Sequence, residues 1–383
     1  MINTKNRLYF KSYSYRMLQY KVVGEDTNYG LASVGVSAER KLERPCGVWL
    51  KNLLGSIAFT NLLIKRIHLI VLIFISPAHL FAQNDTTGII RDFAKKNFVQ
   101  PYIGSFNRSF HFISKEKSSP LNNLKLAPNA ALFAGVSFKY KKLSMNIEVA
   151  VPNTSKVPSR STAVRAYSKF IHYFHKNWGV SGFISWNKGL LMQVPFPSMY
   201  ADRNDLRMFT FGAHFYSIFN GRKFSYTAAN SMAKLQTKSK GSFIIMTTPL
   251  FRKLSTKVGI IPDSLRQFHF NGANDPSRSL QFISLQCRPG YIYNIIFKEG
   301  KYFFAPAIYA GAGTELHTFK TDSQQHTDLN LSTGYRMKIT TGINSNNYYL
   351  SLEYLADNTT TYLNKTTIKN TYTEISVNLG FRF

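Results

Sequence analysis

The C-terminal segment, residues 371–383, alternates between two kinds of side chain. One face carries Thr371, Thr373, Ile375, Val377, Leu379, Phe381 and Phe383, and polar or small residues lie between them. A period of two residues is that of an extended strand with one apolar side. A soluble sheet can show the same pattern, but a chain that stops on an aromatic residue after about ten alternating positions is typical of the closing strand of an outer-membrane β-barrel. Such a barrel requires further strands of this kind along the chain.

The composition agrees with a sheet whose outer wall faces lipid. Aromatic residues make up 15% of the 383 residues, and charged residues make up only 17%. Ordinary soluble domains carry about 25% charged residues. The mean hydropathy is slightly polar, which argues against a bundle of membrane-spanning helices. The sequence therefore favours an all-β fold, a transmembrane antiparallel up-and-down β-barrel.

The net charge of +29 raises the alternative of a nucleic-acid-binding protein. The sequence contains no helix-turn-helix pattern, no zinc-finger spacing and no ribonucleoprotein aromatic motif, and its Lys and Arg are spread over loops and strands. We therefore expect no nucleic-acid partner. The expected partners are outer-membrane lipids, with lipopolysaccharide phosphates facing cationic outer loops, and the barrel-assembly machinery, which would engage the C-terminal strand.

An export signal lies at residues 65–82. Lys65 and Arg66 precede an apolar run at residues 67–75, Ser76 and Pro77 break this run, and residues 80–82 end on the small residue Ala82. This order of basic, apolar and small residues predicts a signal peptide with cleavage after Ala82. The apolar run is too short for a membrane-spanning helix, which needs about 20 residues. The predicted location is the outer membrane of a Gram-negative envelope.

This signal divides the chain into four parts. We expect residues 1–64 to be a disordered extension from a misassigned start. The alternative is a genuine cytoplasmic extension ahead of an internal signal anchor. Residues 65–82 form the signal peptide, residues 83–98 a short lead-in, and residues 99–383 the barrel.

Several tight turns predict hairpins. Lys141 and Lys142 separate two alternating runs at residues 130–140 and 143–151. Asn220 and Gly221 form the favoured pair of a type I′ turn, and we expect them to join strands at residues 207–219 and 222–235. Further turns lie at residues 298–300 and 345–347. Short turns alternate with long polar segments, as in barrels with short periplasmic turns and long outer loops.

The parity of these turns predicts the number of strands. Strands can be counted from the N-terminal end or from the C-terminal end, and each count must place every tight turn on the periplasmic side. The two counts agree only if residues 251–280 hold one further strand, which we place near residues 265–271. The sequence therefore predicts about fourteen strands, with about twelve as the fallback.

Aromatic residues mark the expected membrane interfaces. Trp178 and Trp186 share one face of a predicted strand, where their spacing corresponds to about 26 Å, so we expect one ring at each interface. Tyr348, Tyr354 and Phe383 are further interface candidates.

If the apolar faces meet lipid, the opposite faces line the interior. The polar candidates for the lumen are Asn146, Glu148, Arg336, Lys338, Glu374, Asn378 and Arg382. These side chains could line a hydrophilic pore or a polar binding site, or they could form an ion-pair network that fills a narrow lumen. We favour the network, because charges inside a small barrel must be paired.

Candidates for catalysis and metal binding are weak. His172 and His214 are possible bases, but no nucleophile-elbow motif accompanies them. Cys46 and Cys287 are the only cysteines, and no metal-ligand spacing is present. We expect no enzyme activity and no cofactor. The expected function is that of a structural or binding barrel or a narrow channel, and the alternative is an outer-membrane lipid hydrolase or deacylase.

Several segments together resemble a known family. They are residues 127–129 and 135–143, residues 177–180, residues 219–226, residues 236–243 and residues 289–291. The sequence resembles an uncharacterised family of outer-membrane barrels of the Bacteroidota, domain of unknown function 4421, over roughly residues 99–383. The resemblance implies a barrel and an outer-membrane location, and it implies no reaction.

Overall fold

A computed structural model of the chain describes residues 88–383, except for residues 116–122, 155–156, 158–164, 195–198, 261–277, 321–324 and 364–365. The predicted strand near residues 265–271, the signal peptide at residues 65–82 and the extension at residues 1–64 lie outside the described residues.

The described chain is almost entirely extended. The strands are β1 (Ile90–Arg91), β2 (Phe98–Ser114), β3 (Asn123–Ala127), β4 (Leu132–Tyr140), β5 (Leu143–Ala150), β6 (Arg165–Phe174), β7 (Trp178–Val194), β8 (Met199–Ile218), β9 (Leu235–Gln236), β10 (Lys240–Ser255), β11 (Ser279–Phe297), β12 (Tyr302–Lys320), β13 (Gln325–Asn344), β14 (Tyr348–Tyr362) and β15 (Thr366–Arg382). One helix, α1 (Tyr226–Ser231), lies between β8 and β9, and a 3-10 turn spans Lys298–Gly300.

Twelve of these strands form a closed antiparallel barrel, which confirms the predicted fold class. Each strand pairs with its neighbours along the chain, from β2 through β4–β8 and β10–β15, and β15 pairs with β2 to close the sheet. β3 pairs with β2 on one side and with β7 on the other. β4, β5 and β6 are shorter than the other barrel strands, and β3 continues the sheet between β2 and β7 beyond their ends.

The two ends of the barrel differ. One end carries the first and last residues of the barrel wall, where Phe383 and Asn97 exchange backbone hydrogen bonds of 3.0 and 3.3 Å. The tight turns β4–β5, β11–β12 and β13–β14 lie at the same end, as predicted. Short turns and both termini mark the periplasmic side of an outer-membrane barrel. We name it the inner end and the opposite one the outer end.

The strand count matches the fallback of twelve, and the reason lies in the segment after Asn220. The prediction of a strand at residues 222–235 was wrong, since this segment contains α1. When residues 222–235 are not counted as a strand, a barrel of twelve strands places all the tight turns at the inner end. The count then needs no further strand.

The Asn-Gly pair also forms a different turn from the predicted type I′. Neither Asn220 nor Gly221 has a positive φ. The carbonyl of Asn220 instead accepts from the backbone N–H groups of Lys223 and Phe224, at 3.1 and 2.9 Å. A side chain at Gly221 would place its Cβ 2.2 Å from the Lys176 carbonyl oxygen. Glycine is therefore needed here for space.

The terminal strand β15 shows the alternation that the sequence predicts. Ile375, Val377 and Leu379 are exposed on the outer wall, whereas Ser376 and Asn378 are buried inside. Toward the outer end the inward face of β15 becomes apolar, since Ile368 is buried there in an apolar cluster. The lumen is therefore polar over part of its length only.

Candidate functional site

The barrel encloses a cavity of about 600 Å³, here named the chamber. Its wall consists of inward-facing side chains from most barrel strands, with residues 92–98 and α1 at the inner end. The charged residues deep in the wall are Arg108, Glu148, Arg252, Arg288, Arg336, Lys338, Glu353, Asp357 and Glu374. The chamber is thus lined by both signs of charge.

An apolar cluster fills the lumen on the outer side of the chamber, and we name it the outer core. It includes Phe110 of β2, Leu126 of β3, Met208 of β8 and Phe282 of β11, all of them buried. The ring centroids of Phe110 and Phe282 are 5.5 Å apart, although β2 and β11 are not neighbours in the sheet. This contact therefore crosses the lumen on the outer side of the chamber.

The chain between β8 and β10, residues 219–239, folds into the inner end, and we name it the plug. α1 begins after Ser225, whose Oγ accepts from the backbone N–H of Ala228 at 3.2 Å. The Gln236 side chain accepts from the Ser225 N–H at 2.9 Å. Phe224 and Met232 are buried against the walls formed by β8, β10–β12 and β14. The plug fills this part of the lumen as a small apolar core.

Arg382 joins the plug to the barrel. Its Nη2 donates to the Met232 carbonyl oxygen and to Asn344 Oδ1, both at 2.6 Å. Its guanidinium lies over the ring of Phe93 at 3.8 Å and over that of Tyr349 at 4.7 Å. β1 of the lead-in adds a strand to the plug by pairing with β9. This one side chain of the last barrel strand thus contacts β13, β14, the plug and the lead-in.

An ion-pair network crosses the chamber wall at mid-height. Arg288 Nη1 donates to Asp357 Oδ1 at 2.8 Å, and Arg336 Nη1 lies 3.4 Å from Asp357 Oδ2. Arg336 Nη1 also donates to Nε2 of His214 at 3.0 Å, and His214 Nδ1 is 2.8 Å from Thr248 Oγ1. Because Nε2 of His214 accepts this hydrogen bond from Arg336, the ring is the neutral tautomer that carries its proton on Nδ1. The two arginines, the aspartate and the histidine of this network lie on four different strands, so each charged group has its partner on another strand.

A second set of polar contacts lies nearer to β2 and β15. Lys338 and Glu353 form an ion pair of 2.7 Å, and the Tyr372 hydroxyl donates to Glu374. Arg108 lies over the Tyr372 ring at 4.8 Å and donates to Ser185 Oγ at 3.2 Å. Among the described residues, no carboxylate forms an ion pair with Arg108.

The chamber reaches solvent on one side of the plug. The apolar core of the plug includes no residue of β4 or β5. Lys141 and Lys142, in the turn between these strands, are exposed and also line the cavity. The chamber therefore opens at the inner end between the plug and the β4–β5 turn, and we name this opening the mouth.

The structure brings most of the predicted lumen residues together. Asn146, Glu148, Arg336, Lys338, Glu374 and Asn378 all line the chamber. Arg382 lies at the inner end, where it contacts the plug. The predicted bases also face inward, with His172 Nδ1 2.7 Å from Ser181 Oγ.

The predicted interface aromatics lie on the outer wall. Trp186 stacks on Tyr167 and packs against Phe209, with centroid distances of 5.9 and 5.3 Å. Trp178, at the inner end of β7, packs against Tyr173. The remaining candidates are Tyr348 and Phe383, both exposed, and Tyr354, which is half-buried.

Sequence reasoning missed three important chamber residues, namely Arg288, Asp357 and Tyr226. Arg288 alternates with outward-facing neighbours along β11, so the same period-two argument could have found it. Asp357 lies in a polar stretch without apolar alternation, although β14 extends to Tyr362. No sequence signal places Tyr226 in the lumen, because it belongs to the segment that was interpreted as a strand.

Residues 84–383 match the protein family described as Domain of unknown function (DUF4421). The chain belongs to this family. The resemblance stated from the sequence is therefore confirmed. No curated protein matches this DUF4421 chain.

Solved outer-membrane proteins show distant similarity to this DUF4421 barrel. The outer membrane protease OmpT from Escherichia coli has 7% identity and a TM-score of 0.35, covering 76% of this chain and 98% of its own. The β domain of the Bordetella autotransporter BrkA has 10% identity and a TM-score of 0.37, with coverage of 74% and 99%. Because these identities and TM-scores are low, they carry no argument about activity.

The closed sheet and the apolar outer wall of the DUF4421 barrel are suited to contact with lipid. A closed sheet satisfies every backbone hydrogen bond internally, which lipid demands, and the exposed outer wall carries apolar side chains such as Ile308, Leu352 and Val377. The protein is an outer-membrane β-barrel. Among the described residues, no helix is both long enough and apolar enough to cross a membrane.

Proposed function

We propose that this protein is a closed, non-enzymatic outer-membrane barrel that binds a small polar ligand in its chamber from the periplasmic side. The observation that carries the proposal is the contact of Phe110 with Phe282 across the lumen, combined with a chamber that reaches exposed residues at the inner end. A polar cavity open at one end only is suited to binding rather than to passage.

The outer core argues against the narrow channel that the sequence left open. An ion that crossed it would lose its hydration in apolar surroundings, which costs many kcal/mol. The chamber itself has the size and the convergent polar groups of a small-molecule site, which typically occupies about 300–1,000 Å³.

Two measurements test this function. In planar bilayers the purified protein should conduct no more than an empty membrane. In cells, with Cys287→Ser as background, a Ser144→Cys variant places a thiol on the chamber wall. A membrane-impermeant thiol reagent should label it only after the outer membrane is permeabilised.

A Lys320→Cys variant is the matched control, because Lys320 is exposed at the outer end. Its thiol should be labelled in intact cells. Conductance by the native protein, or labelling of Ser144→Cys in intact cells, would contradict a barrel that opens to the periplasm alone.

The alternative of a hydrolase is favoured by one observation, the 2.7 Å distance between His172 and Ser181. Among the described residues, no carboxylate accepts a hydrogen bond from His172 to orient it, as a nucleophile–base pair usually requires. The pair also lines the chamber and does not lie on the wall that faces lipid, where a lipid hydrolase would need it. We therefore propose that the barrel is not an enzyme. Ester or lipid cleavage that disappears in Ser181→Ala would support the alternative.

For partners we propose lipopolysaccharide phosphates at the outer end and the barrel-assembly machinery at β15. Exposed Lys188, Lys257 and Lys369 support the first proposal, because such charges attract phosphates at low ionic strength. Binding of lipopolysaccharide to the purified barrel should weaken as salt increases, and salt-independent retention would count against it. The exposed terminal Phe383 supports the second proposal, and its deletion should slow assembly.

A further inference from the structure

Lysine side chains surround the mouth of the chamber. Lys96, Lys139, Lys141, Lys142 and Lys234 all line the cavity at this edge. They come from three separate parts of the chain, namely the lead-in, the β4–β5 hairpin and the plug. Among the described residues of the mouth, the only carboxylate is that of Asp92.

Most of this positive charge has no opposing charge. Asp92 lies 3.3 Å from Lys234 Nζ and 3.9 Å from Lys96 Nζ, so both lysines share one carboxylate. Lys139 donates to the Lys96 carbonyl oxygen at 2.9 Å, which is an uncharged acceptor. Among the described residues, no carboxylate forms an ion pair with Lys139, Lys141 or Lys142.

Three of these lysines, Lys96, Lys139 and Lys234, are also close enough to repel one another. Lys139 lies within electrostatic range of Lys96, Lys234 and Arg382 as well as of Asp92. Like charges held together at a partly enclosed site raise its free energy unless an anion binds among them. The mouth therefore favours a ligand with more than one negative charge.

Hydrogen bonds hold this arrangement in place before any ligand binds. The Lys141 N–H donates to Asn97 Oδ1 at 2.9 Å, and the Lys139 side chain reaches the Lys96 backbone. The β4–β5 turn and the lead-in are thereby tied together. A site whose charges are already positioned loses less conformational entropy when it binds.

We propose that the mouth is an anion subsite and that the chamber ligand is a soluble molecule carrying a phosphate group with at least two negative charges. Lysine binds phosphate as a point charge, whereas planar carboxylates are better matched by the arginine fork. The inward direction of Lys139 favours a soluble phosphate over a lipid headgroup, because this side chain lines the lumen. The proposal rests on the proposed function, since it names the ligand of the same chamber.

Titration of the purified barrel with inorganic pyrophosphate tests the proposal. In non-ionic detergent at low salt, calorimetry should show saturable binding that weakens as sodium chloride is added. The double variant Lys139→Gln, Lys142→Gln should bind about tenfold more weakly, which corresponds to about 1.4 kcal/mol, because it removes two of the positive charges at the mouth. The double variant Lys298→Gln, Lys301→Gln is the matched control, because it removes two exposed charges of the inner end that do not line the chamber.

Both variants must show heat-modifiable migration on gels, which establishes that the barrel is folded. Absence of saturable binding by the native protein, or an equal loss in the control variant, would overturn the anion subsite. A repeat in lipid nanodiscs separates the two phosphate sources. Binding should be equal in zwitterionic and in anionic phospholipid, and abolition by anionic phospholipid would overturn the soluble ligand in favour of a headgroup.

The outcomes for the ligand and for the function are separate. If pyrophosphate fails to bind while Ser144→Cys is still labelled only from the periplasm, the anion subsite falls and the closed barrel stands. If Ser144→Cys is labelled in intact cells, the proposed function falls whatever pyrophosphate does.

Discussion

At the scale of single residues, Asp357 holds the chamber network together. It accepts from Arg288 at 2.8 Å and lies 3.4 Å from Arg336, and Arg288 is almost completely buried. Neither guanidinium can lose its proton in a protein. Removal of the carboxylate would therefore leave two cations close together in a poorly solvated wall.

We expect Asp357→Asn to lower the free energy of unfolding by about 3 kcal/mol, because loss of one partner of a buried ion pair leaves the other uncompensated. Urea titration of the barrel in lipid vesicles, followed by tryptophan fluorescence, measures the change. Asp328→Asn is the control, since Asp328 pairs at 2.8 Å with His326 and both side chains are partly exposed. The control should lose less than about 1 kcal/mol, and an equal loss would contradict the network.

The inward direction of the charged residues was predictable from the sequence, but the pairs between non-adjacent strands were not. Strand alternation places Arg336, Lys338 and Glu374 on the inner face without any knowledge of the fold. The partners of Arg336 and Lys338 lie on the adjacent strand β14, whereas other pairs depend on which strands face each other across the lumen. Arg288 and Asp357 lie on β11 and β14, which are not adjacent, so no local spacing relates them.

At the scale of elements, the hairpins were predictable and the plug was not. Turn residues and alternating runs determine hairpins locally, and those at residues 141–142, 298–300 and 345–347 are confirmed. α1 has only 6 residues, far fewer than an isolated helix needs in water. Its stability comes from tertiary packing, such as the 4.7 Å ring contact of Tyr226 with Phe174. A sequence window cannot contain such a contact.

Arg382 makes the plug depend on the last barrel strand. We expect Arg382→Gln to speed amide hydrogen exchange in residues 226–236, because the variant loses the charged donor to the Met232 carbonyl oxygen and the contact with Phe93. Exchange in the barrel strands should stay slow, since their backbone hydrogen bonds are unchanged.

Mass spectrometry of exchanged peptides resolves the plug from the strands. Lys298→Gln removes an exposed charge from the same end, where the Lys298 side chain lies over the Tyr302 ring of β12 at 5.7 Å, and serves as the control. Unchanged exchange in residues 226–236 of Arg382→Gln would show that the plug is held by its apolar core alone.

At the scale of the whole molecule, the lumen has two ends of different chemistry. The outer core is a continuous apolar cluster contributed by strands on opposite sides of the barrel, whereas the inner end combines an apolar plug with a mouth lined by lysines. A barrel of twelve strands is wide enough to need such filling, because small barrels fill their interior with side chains and larger ones enclose cavities. The lysine-lined mouth therefore lies at the inner end of the chamber.

If the outer core alone separates the chamber from the exterior, opening it should convert the barrel into a channel. Phe110 and Phe282 meet across the lumen, and their replacement by alanine removes both rings from the centre of the seal. The mouth already connects the chamber to the inner end, so water entering through the gap would complete a continuous path. We expect the double variant Phe110→Ala, Phe282→Ala to show discrete conductance steps in planar bilayers, while the native protein stays at the baseline.

The double variant Phe211→Ala, Phe304→Ala removes two aromatic rings from the exposed outer wall and is the matched control. It should stay at the baseline, because its rings face lipid and not the lumen. Both double variants must keep heat-modifiable migration, since a cavity in a core destabilises the fold by roughly 3–5 kcal/mol for each Phe→Ala. A folded Phe110→Ala, Phe282→Ala barrel without conductance would show that the plug also seals the lumen, and the mouth would then be a recess of the chamber rather than its entrance.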